Sequence, residues 1–208
     1  GFFGEDGQVQ SILNFLTIPY THSGVLTSSL AMNKIMSKTF YKSLGINFPK
    51  TLNISDNTNK TKFPVIIKPI CGGSSNGLVK IENDKMLREF KKNNNNKLDK
   101  LLIEEFIQGR EITVGILDDN ICGIMEIIFD NELYDFKNKY IDIATHVINP
   151  KLPKKIANDI KDISLKVHKE LDCNCLSRLD FRYNLESNNL YLLEINTQPG
   201  LTKNSLLP

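Results

Sequence analysis

The sequence predicts an α+β fold, and two kinds of pattern indicate it. Short apolar runs bounded by turn-forming residues are typical of strands. After Pro153, apolar residues recur every three or four positions, which predicts a helix with one buried face. The central predicted strands cover residues 63–69, 78–81, 101–106, 111–117 and 121–129, and the helical face carries Ile156, Ile160, Ile163, Val167 and Leu171.

Three further helices are predicted earlier in the chain. Residues 9–16 show helical spacing of apolar residues and are followed by Pro19, which ends the helix. Residues 30–44 form the second helix, closed by Gly45, and residues 84–92 form the third. We expect the second helix to bury an apolar stripe made of Met32, Ile35, Met36 and Phe40.

Composition is that of an ordinary globular protein with a buried core. The chain has 208 residues, of which 40% are hydrophobic and 24% charged, and its formal net charge is +2. That charge is too small to favour binding to nucleic acid or to a membrane surface. No apolar run approaches the roughly 20 residues that a membrane-spanning helix needs. No signal-like segment opens the chain, although residues 1–4 look like the middle of a domain rather than a natural start.

The cysteines favour a reducing, cytoplasmic setting. They lie in or beside apolar segments and lack the paired spacing of a zinc site. The three histidines do not cluster around them. We expect buried or incidental thiols, with a metal site or a disulfide as the alternative. The residues concerned are Cys71, Cys122, Cys173 and Cys175.

Two short apolar runs near the end of the chain each carry polar residues two positions apart. Arg178 and Asp180 share one face of a strand, and so do Glu194 and Asn196, because side chains alternate between faces. Carboxylate and amide oxygens are the hard ligands that suit Mg²⁺ on nucleotide phosphates. The alternative is a simple Arg–Asp ion pair beside a half-exposed edge strand.

A second motif is typical of phosphate binding. Lys68 ends a strand and precedes a loop with three glycines and two serines, whose backbone N–H groups and hydroxyls can approach phosphate oxygens. The lysine precedes the glycines, so this is not a Walker motif, and a glycine-rich hairpin is the alternative. Lys38, on a predicted helix, is a candidate second cation or an ordinary solvated lysine.

Carboxylates and a long polar segment complete the candidate site. Glu104 and Glu105 end an apolar strand, and Glu111 follows the next turn, where carboxylates can accept from an adenine amino group or ribose hydroxyls. Taken alone, these three carboxylates could equally be ordinary charges on the protein surface. Residues 130–145 are too long for a tight turn and form a candidate functional loop.

These motifs extend over almost the whole chain in one order. They resemble the motifs of the D-alanine–D-alanine ligases, a family of the ATP-grasp superfamily, and their conjunction is far more specific than any single motif. The matching segments are Gly4-Glu5-Asp6-Gly7, residues 19–24 and 32–34, Lys68-Pro69, residues 73–75, 104–106, 109–114, 134–135 and 139–140, Arg178-Leu179-Asp180, residues 194–200 and Ser205-Leu206.

The resemblance implies an ATP-grasp fold in which two α+β domains clasp ATP, preceded by the end of an α/β N-terminal domain. The expected domains are residues 1–26, the remnant of that N-terminal domain, residues 27–108, the central subdomain, and residues 109–208, the C-terminal catalytic subdomain. The implied reaction joins two D-alanines through an acyl phosphate, with ATP and two Mg²⁺ ions (or Mn²⁺), for peptidoglycan precursors in the bacterial cytoplasm. A homodimer is a possible assembly.

The resemblance also implies roles for individual residues. Lys38 and Lys68 would bind the nucleotide phosphates, and Glu111 would bind the ribose. The adenine would lie against the segment Glu104, Glu105, Phe106 and Ile107. Mg²⁺ would be held by Asp180, Glu194 and Asn196. Arg178 and the Gly200 N–H would face the developing oxyanion, Lys139 the transferred phosphate, and Ser205 and Leu206 the second D-alanine, while Glu5, Ser74 and Tyr140 would pin a lid formed by residues 130–145.

Some positions depart from the family pattern. Asn33 stands where the family usually has Asp, Gly72 replaces a common Glu, and Asn76 a common small apolar residue. The match begins after most of the N-terminal domain and ends before the usual final helix, so we expect either a fragment or a reduced gene product. A D-alanine–D-lactate ligase and a non-catalytic Mg·ATP-binding remnant are the alternative functions.

Overall fold

The structure, a computed structural model, describes residues 2–52, 61–73, 76–129, 145–202 and 205–206. Its helices within those ranges are short, except for one near the C-terminus. None of the described helices is both long and apolar enough to cross a membrane. The helices are α1 (Gln8–Phe15), α2 (Val25–Met32), α3 (Lys34–Ser43), α4 (Asp84–Asn93), a 3₁₀ helix (Asn95–Lys100) and α5 (Lys154–Glu170).

The described strands form two antiparallel sheets, which confirms the α+β prediction. The strands are β1 (Thr51–Leu52), β2 (Val65–Pro69), β3 (Val79–Ile81), β4 (Leu101–Glu105), β5 (Arg110–Leu117), β6 (Asn120–Ile128), β7 (Thr145–Ile148), β8 (Leu176–Asn184) and β9 (Asn189–Asn196). The first sheet has the order β1-β4-β2-β3 and the second the order β7-β6-β5-β8-β9. In the second sheet the β5–β6 and β8–β9 pairs are joined by short turns, which suits antiparallel pairing.

Each sheet has its own apolar core. In the first, Ile67 on β2 and Ile103 on β4 pack with Leu87 of α4. In the second, α5 supplies Ile160, and residues of β5, β8 and β9 surround it. Tyr41 of α3 is fully buried in this second core, although α3 precedes the first sheet in sequence. The same buried face of α3 therefore contacts both sheets, because Tyr41 packs in the second core while Lys38 reaches Glu104 of the four-stranded sheet. The domain limits given above stay a prediction.

The single helix expected over residues 30–44 is wrong, because the structure breaks it at Asn33. That residue has an extended backbone (φ −89°, ψ 103°) and separates α2 from α3. Its side-chain oxygen accepts hydrogen bonds from the N–H groups of Ile35 (3.1 Å) and Met36 (3.2 Å). Asparagine is a favourable N-cap, so a new helix begins there.

The predicted apolar stripe on α3 is also wrong. Ile35 and Met36 are 45% and 53% exposed. The buried face instead carries polar side chains, which are tolerated because they find partners across the molecule. Its residues are Lys34, Ser37, Lys38 and Tyr41.

The helix predicted after Pro153 is confirmed. Pro153 is the residue immediately before α5. Three of the five predicted apolar residues are completely or almost completely buried: Ile156, Ile160 and Val167. Leu171 is also buried, and Ile163 packs against the core while remaining half-buried. A strict helical period over 16 residues is strong enough to define a buried face from sequence alone.

Replacing Gly109 by alanine is expected to destabilise the fold. Gly109 has a φ of +139°, and a methyl group there would lie 2.1 Å from the carbonyl oxygen of Tyr183. Such a backbone strain costs about 1–3 kcal/mol before any clash is counted. The matched control is Gly123→Ala, because a methyl group there meets no atom within 4 Å. Urea unfolding of both variants checks this, and equal free energies of unfolding would contradict it.

Candidate active site

A cleft lies between the two sheets and collects most of the predicted site residues. Its empty space, counted together with the solvent at its open mouth, is about 910 Å³. Lys68 and Glu104 line it from the four-stranded sheet. Glu111, Asp180 and Glu194 line it from the five-stranded sheet. The fold therefore brings together residues that are more than 100 positions apart in sequence.

The four polar residues of the last two strands meet as predicted. In the register of β8 and β9, Arg178 lies opposite Asn196 and Asp180 lies opposite Glu194. Arg178 donates to both carboxylate oxygens of Asp180, at 3.0 and 2.8 Å. The Asn196 amide donates to the same carboxylate at 3.1 Å, and Thr113 of β5 donates at 2.7 Å. The simple Arg–Asp ion pair thus exists, but as one part of a larger cluster.

The donor set of this cluster fits a magnesium ion. Asp180 and Glu194 are like charges on directly opposed positions, which destabilises a sheet unless a cation lies between them. Among the described residues no three His, Cys, Asp or Glu side chains gather into a metal site. A metal here would therefore also use the amide oxygen of Asn196 and oxygens of a bound phosphate, as Mg²⁺ commonly does.

A second cluster of charges lies on the opposite wall. Glu104 is 3% exposed and its carboxylate forms salt bridges with both Lys38 and Lys68. Burial raises the pKa of Glu104, but the two ammonium groups outweigh it, so the pKa is lowered overall. Burial lowers the pKa of Lys38, against the attraction of Glu104. The three side chains share two positive charges and one negative charge.

Lys34 is the site residue that sequence reasoning missed. Its ammonium donates to the Gly72 carbonyl oxygen at 2.8 Å, and it lines the cleft together with Lys68, Gly72 and Gly73. Of the lysines that the structure describes on α3, it is Lys34 that lines the cleft, whereas Lys38 contacts Glu104. The two lysines lie one turn apart on the same helical face, so spacing alone cannot distinguish them.

The residues predicted to meet a nucleoside all line the cleft. Phe106 and Ile107 line it, and the Lys80 ammonium lies 4.7 Å from the Phe106 ring centre. Glu105 accepts a hydrogen bond from the Lys50 N–H at 2.9 Å. Glu111 pairs with a buried arginine, Arg182, at 2.9 Å. Apolar residues in or next to strands of both sheets also line the cleft: Ile66, Leu78, Ile127 and Leu193.

Some of the remaining predicted residues line the cleft or a small pocket that shares residues with it. Glu5 lines a small pocket together with Lys34, Glu194 and Asn196, and Leu206 lines the main cleft. The Ser205 hydroxyl accepts from the Thr202 N–H at 3.1 Å and lies close to Gly200. Three predicted residues lie outside the described part of the chain, as does most of the candidate lid: Ser74, Lys139 and Tyr140.

Comparison with known proteins identifies the family. The sequence model described as D-ala D-ala ligase C-terminus matches residues 33–208. The chain belongs to this D-alanine–D-alanine ligase family. A curated relative, the D-alanine–D-alanine ligase of Wolbachia pipientis, is 42% identical over 214 residues, which cover all of this chain and 68% of the relative.

Solved structures of the family have the same fold. The D-alanine–D-alanine ligase of Bacillus anthracis complexed with ATP superposes with a TM-score of 0.81 at 30% identity, covering 100% of this chain and 69% of that protein. The D-alanyl-alanine synthetase A of Vibrio cholerae gives a TM-score of 0.86 at 28% identity, covering 100% and 68%. The resemblance inferred from the motifs and the ATP-grasp fold are both confirmed.

The Glu104 cluster predicts a pH-dependent stability. At pH 7, Glu104→Gln leaves two buried ammonium groups without a carboxylate, and breaking such a pair costs about 3–5 kcal/mol. The pKa of Glu104 in the folded protein lies below the ordinary value of 4.5. The stability that the ionised carboxylate contributes is therefore fully present above pH 4.5. It is lost as the pH falls through the folded pKa.

Urea unfolding of the wild type and of Glu104→Gln at pH 7, 5 and 3 measures this. The difference in free energy of unfolding is expected to be constant from pH 7 to 5 and to shrink at pH 3. Glu82→Gln is the matched control, because Glu82 is a half-exposed partner of Lys80 and should change stability by less than about 1 kcal/mol. A pH-independent difference for Glu104→Gln would count against the assignment.

Proposed function

We propose that the chain ligates two D-alanines to D-alanyl-D-alanine with ATP, forming ADP and phosphate through an acyl phosphate, as a supply of peptidoglycan precursor. The observation that carries the proposal is the cleft lined by the Asp180–Glu194 pair on one side and by Lys68 of the other sheet and Lys34 of α3. Phosphoryl transfer needs positioning and charge stabilisation more than covalent chemistry from the protein. Membership of the D-alanine–D-alanine ligase family gives this cleft its substrate.

ATP is the nucleotide used by this family, and one solved relative is complexed with it. We place its adenine against the segment from Glu104 to Ile107 and its ribose at Glu111. Lys68 and Lys34 bind the phosphates, because both residues line the cleft. The assignment of Lys38 to the phosphates stays a prediction that the geometry does not favour.

The Mg²⁺ ions of the proposal are held by Asp180, Glu194 and Asn196. Bound there, they would neutralise the phosphate charge that repels an attacking carboxylate. The side chain of Thr113 orients Asp180 through a buried hydrogen bond, and such supporting contacts fix a ligand in place.

The remaining roles concern the amino-acid substrates. Arg178 and the Gly200 N–H stabilise the oxyanion that develops when the second D-alanine attacks. Ser205 and Leu206 receive the carboxylate of that D-alanine, and Glu5 lies at the inner pocket that borders the metal ligands. Lys139 for the transferred phosphate, and Ser74 with Tyr140 for the lid, are predictions outside the described residues. A homodimer and a cytoplasmic location likewise stay predictions.

The proposal is tested by product analysis of the protein in its full natural length. Incubation with ATP, Mg²⁺ and D-alanine is expected to yield D-alanyl-D-alanine and ADP in equal amounts, which mass spectrometry and coupled ADP detection quantify. D-lactate is included in a parallel reaction, and a depsipeptide as main product would indicate the D-lactate alternative. ATP binding without any ADP formation would favour a non-catalytic remnant.

Charge removal at the metal ligands provides a second test. Asp180→Asn and Glu194→Gln are each expected to lower kcat by at least about 10²–10³-fold, the range seen when one electrostatic stabiliser of a transition state is removed. The fold should persist, as circular dichroism can verify. The matched control, Glu186→Gln, changes an exposed carboxylate in the β8–β9 turn and should keep full activity. Full activity of either metal-ligand variant would contradict the assignment of these residues as metal ligands.

A further inference from the structure

Three charged side chains that meet at the wall of the cleft formed by the four-stranded sheet are almost completely buried. Lys38, Glu104 and Lys68 are 5%, 3% and 8% exposed. Burying ions is costly unless each is paired and hydrogen-bonded. A lysine kept in such a place by a ligand-binding chain therefore needs a reason beyond packing.

The hydrogen-bonding capacity of Lys38 is used entirely by the protein. An ammonium group has three donors. Those of Lys38 meet the carbonyl oxygen of Pro49 at 2.7 Å, the hydroxyl of Thr51 at 3.4 Å and the carboxylate of Glu104. No donor is left over for a phosphate, which matches the position of Lys38 outside the cleft wall.

Lys68 differs from Lys38 in its position relative to the cleft and in its partners. Lys68 lines the cleft, and within the described part of the chain its ammonium pairs with the other carboxylate oxygen of Glu104. One carboxylate therefore connects a lysine that cannot reach a phosphate with a lysine that can. The connection runs from α3 through β4 to β2.

We infer that Lys38 is a positioning residue for nucleotide binding, which acts through Glu104 and does not touch ATP. The inference rests on the proposed function. Lys38 has two effects on Lys68. It anchors the carboxylate that holds Lys68 at the cleft, and it leaves the three-residue cluster with one net positive charge. Without Lys38, the cluster would be neutral and Lys68 would be the sole counter-ion of Glu104, so that its charge would be less available to phosphates.

The test measures ATP affinity by calorimetry without D-alanine, so that no turnover occurs. Lys38→Met is expected to weaken ATP binding on the order of 10- to 100-fold, the scale for loss of an outer partner of a ligand-binding group, with the KM for D-alanine unchanged. Lys42→Met is the matched control, because it makes the same change on an exposed face of the same helix. A purely structural role would instead lower the free energy of unfolding and impair both substrates alike.

A double-mutant cycle separates positioning from direct contact. If Lys38 acts through Glu104, then adding Lys38→Met to the Glu104→Gln variant changes ATP affinity by less than about twofold, since sites that act as one unit are not additive. If Lys38 touches phosphate directly, the loss is the same with or without Glu104, and this result would overturn the inference.

Lys38→Gln keeps the test decisive if Glu104→Gln fails to fold. Glutamine lacks the charge but can still donate to Glu104, so positioning predicts a smaller loss of ATP affinity than in Lys38→Met. Equal losses in both variants would indicate direct contact with the nucleotide and contradict the inference. A wild type that does not bind ATP at all would instead refute the proposed function itself.

Discussion

The relation between the two sheets depends on the buried carboxylate of Glu104. This residue belongs to the four-stranded sheet, whereas its partner Lys38 lies on α3, which is anchored by Tyr41 in the core of the five-stranded sheet. The same helix begins with a backbone hydrogen bond from the Lys34 N–H to the Ile70 carbonyl oxygen at 3.0 Å. One short helix thus contacts both walls of the cleft, and the cleft depends on the attachment of α3 to both sheets.

This arrangement concentrates unfavourable electrostatics where the chemistry is proposed to occur. Two lysines share one carboxylate on one wall, and Asp180 and Glu194 oppose each other on the other wall. Packing alone does not account for either cluster, because apolar residues of similar volume often give a buried site equal or greater stability. The excess positive charge faces the excess negative charge across the cleft. A polyphosphate with bound cations complements both walls at once, and this complementarity explains why both clusters are retained in one chain.

The parts of the structure that sequence predicts well are those determined by local patterns. Helix α5 follows from a sustained apolar period, and the Asp180 cluster follows from alternation along two adjacent strands. The face of α3 could not be predicted, because the partners of Lys34 and Lys38 are 38 and 66 residues away. Apolar periodicity assigned Ile35 and Met36 to the core instead. The break at Asn33 did have a local signal, an N-cap residue, which the apolar pattern on both sides of it obscured.

Gly72 shows how backbone contacts hold the glycine-rich loop that borders the cleft. Gly72 has a φ of +141°, a conformation that favours glycine. Its N–H donates to the sulfur of Met32 at 3.2 Å, and its carbonyl oxygen accepts from Lys34 at 2.8 Å. Backbone contacts with both α2 and α3 therefore fix this position. Because Lys34 also lines the cleft, a phosphate bound there as proposed would share its ammonium with the loop, so that one side chain connects the loop to the cleft.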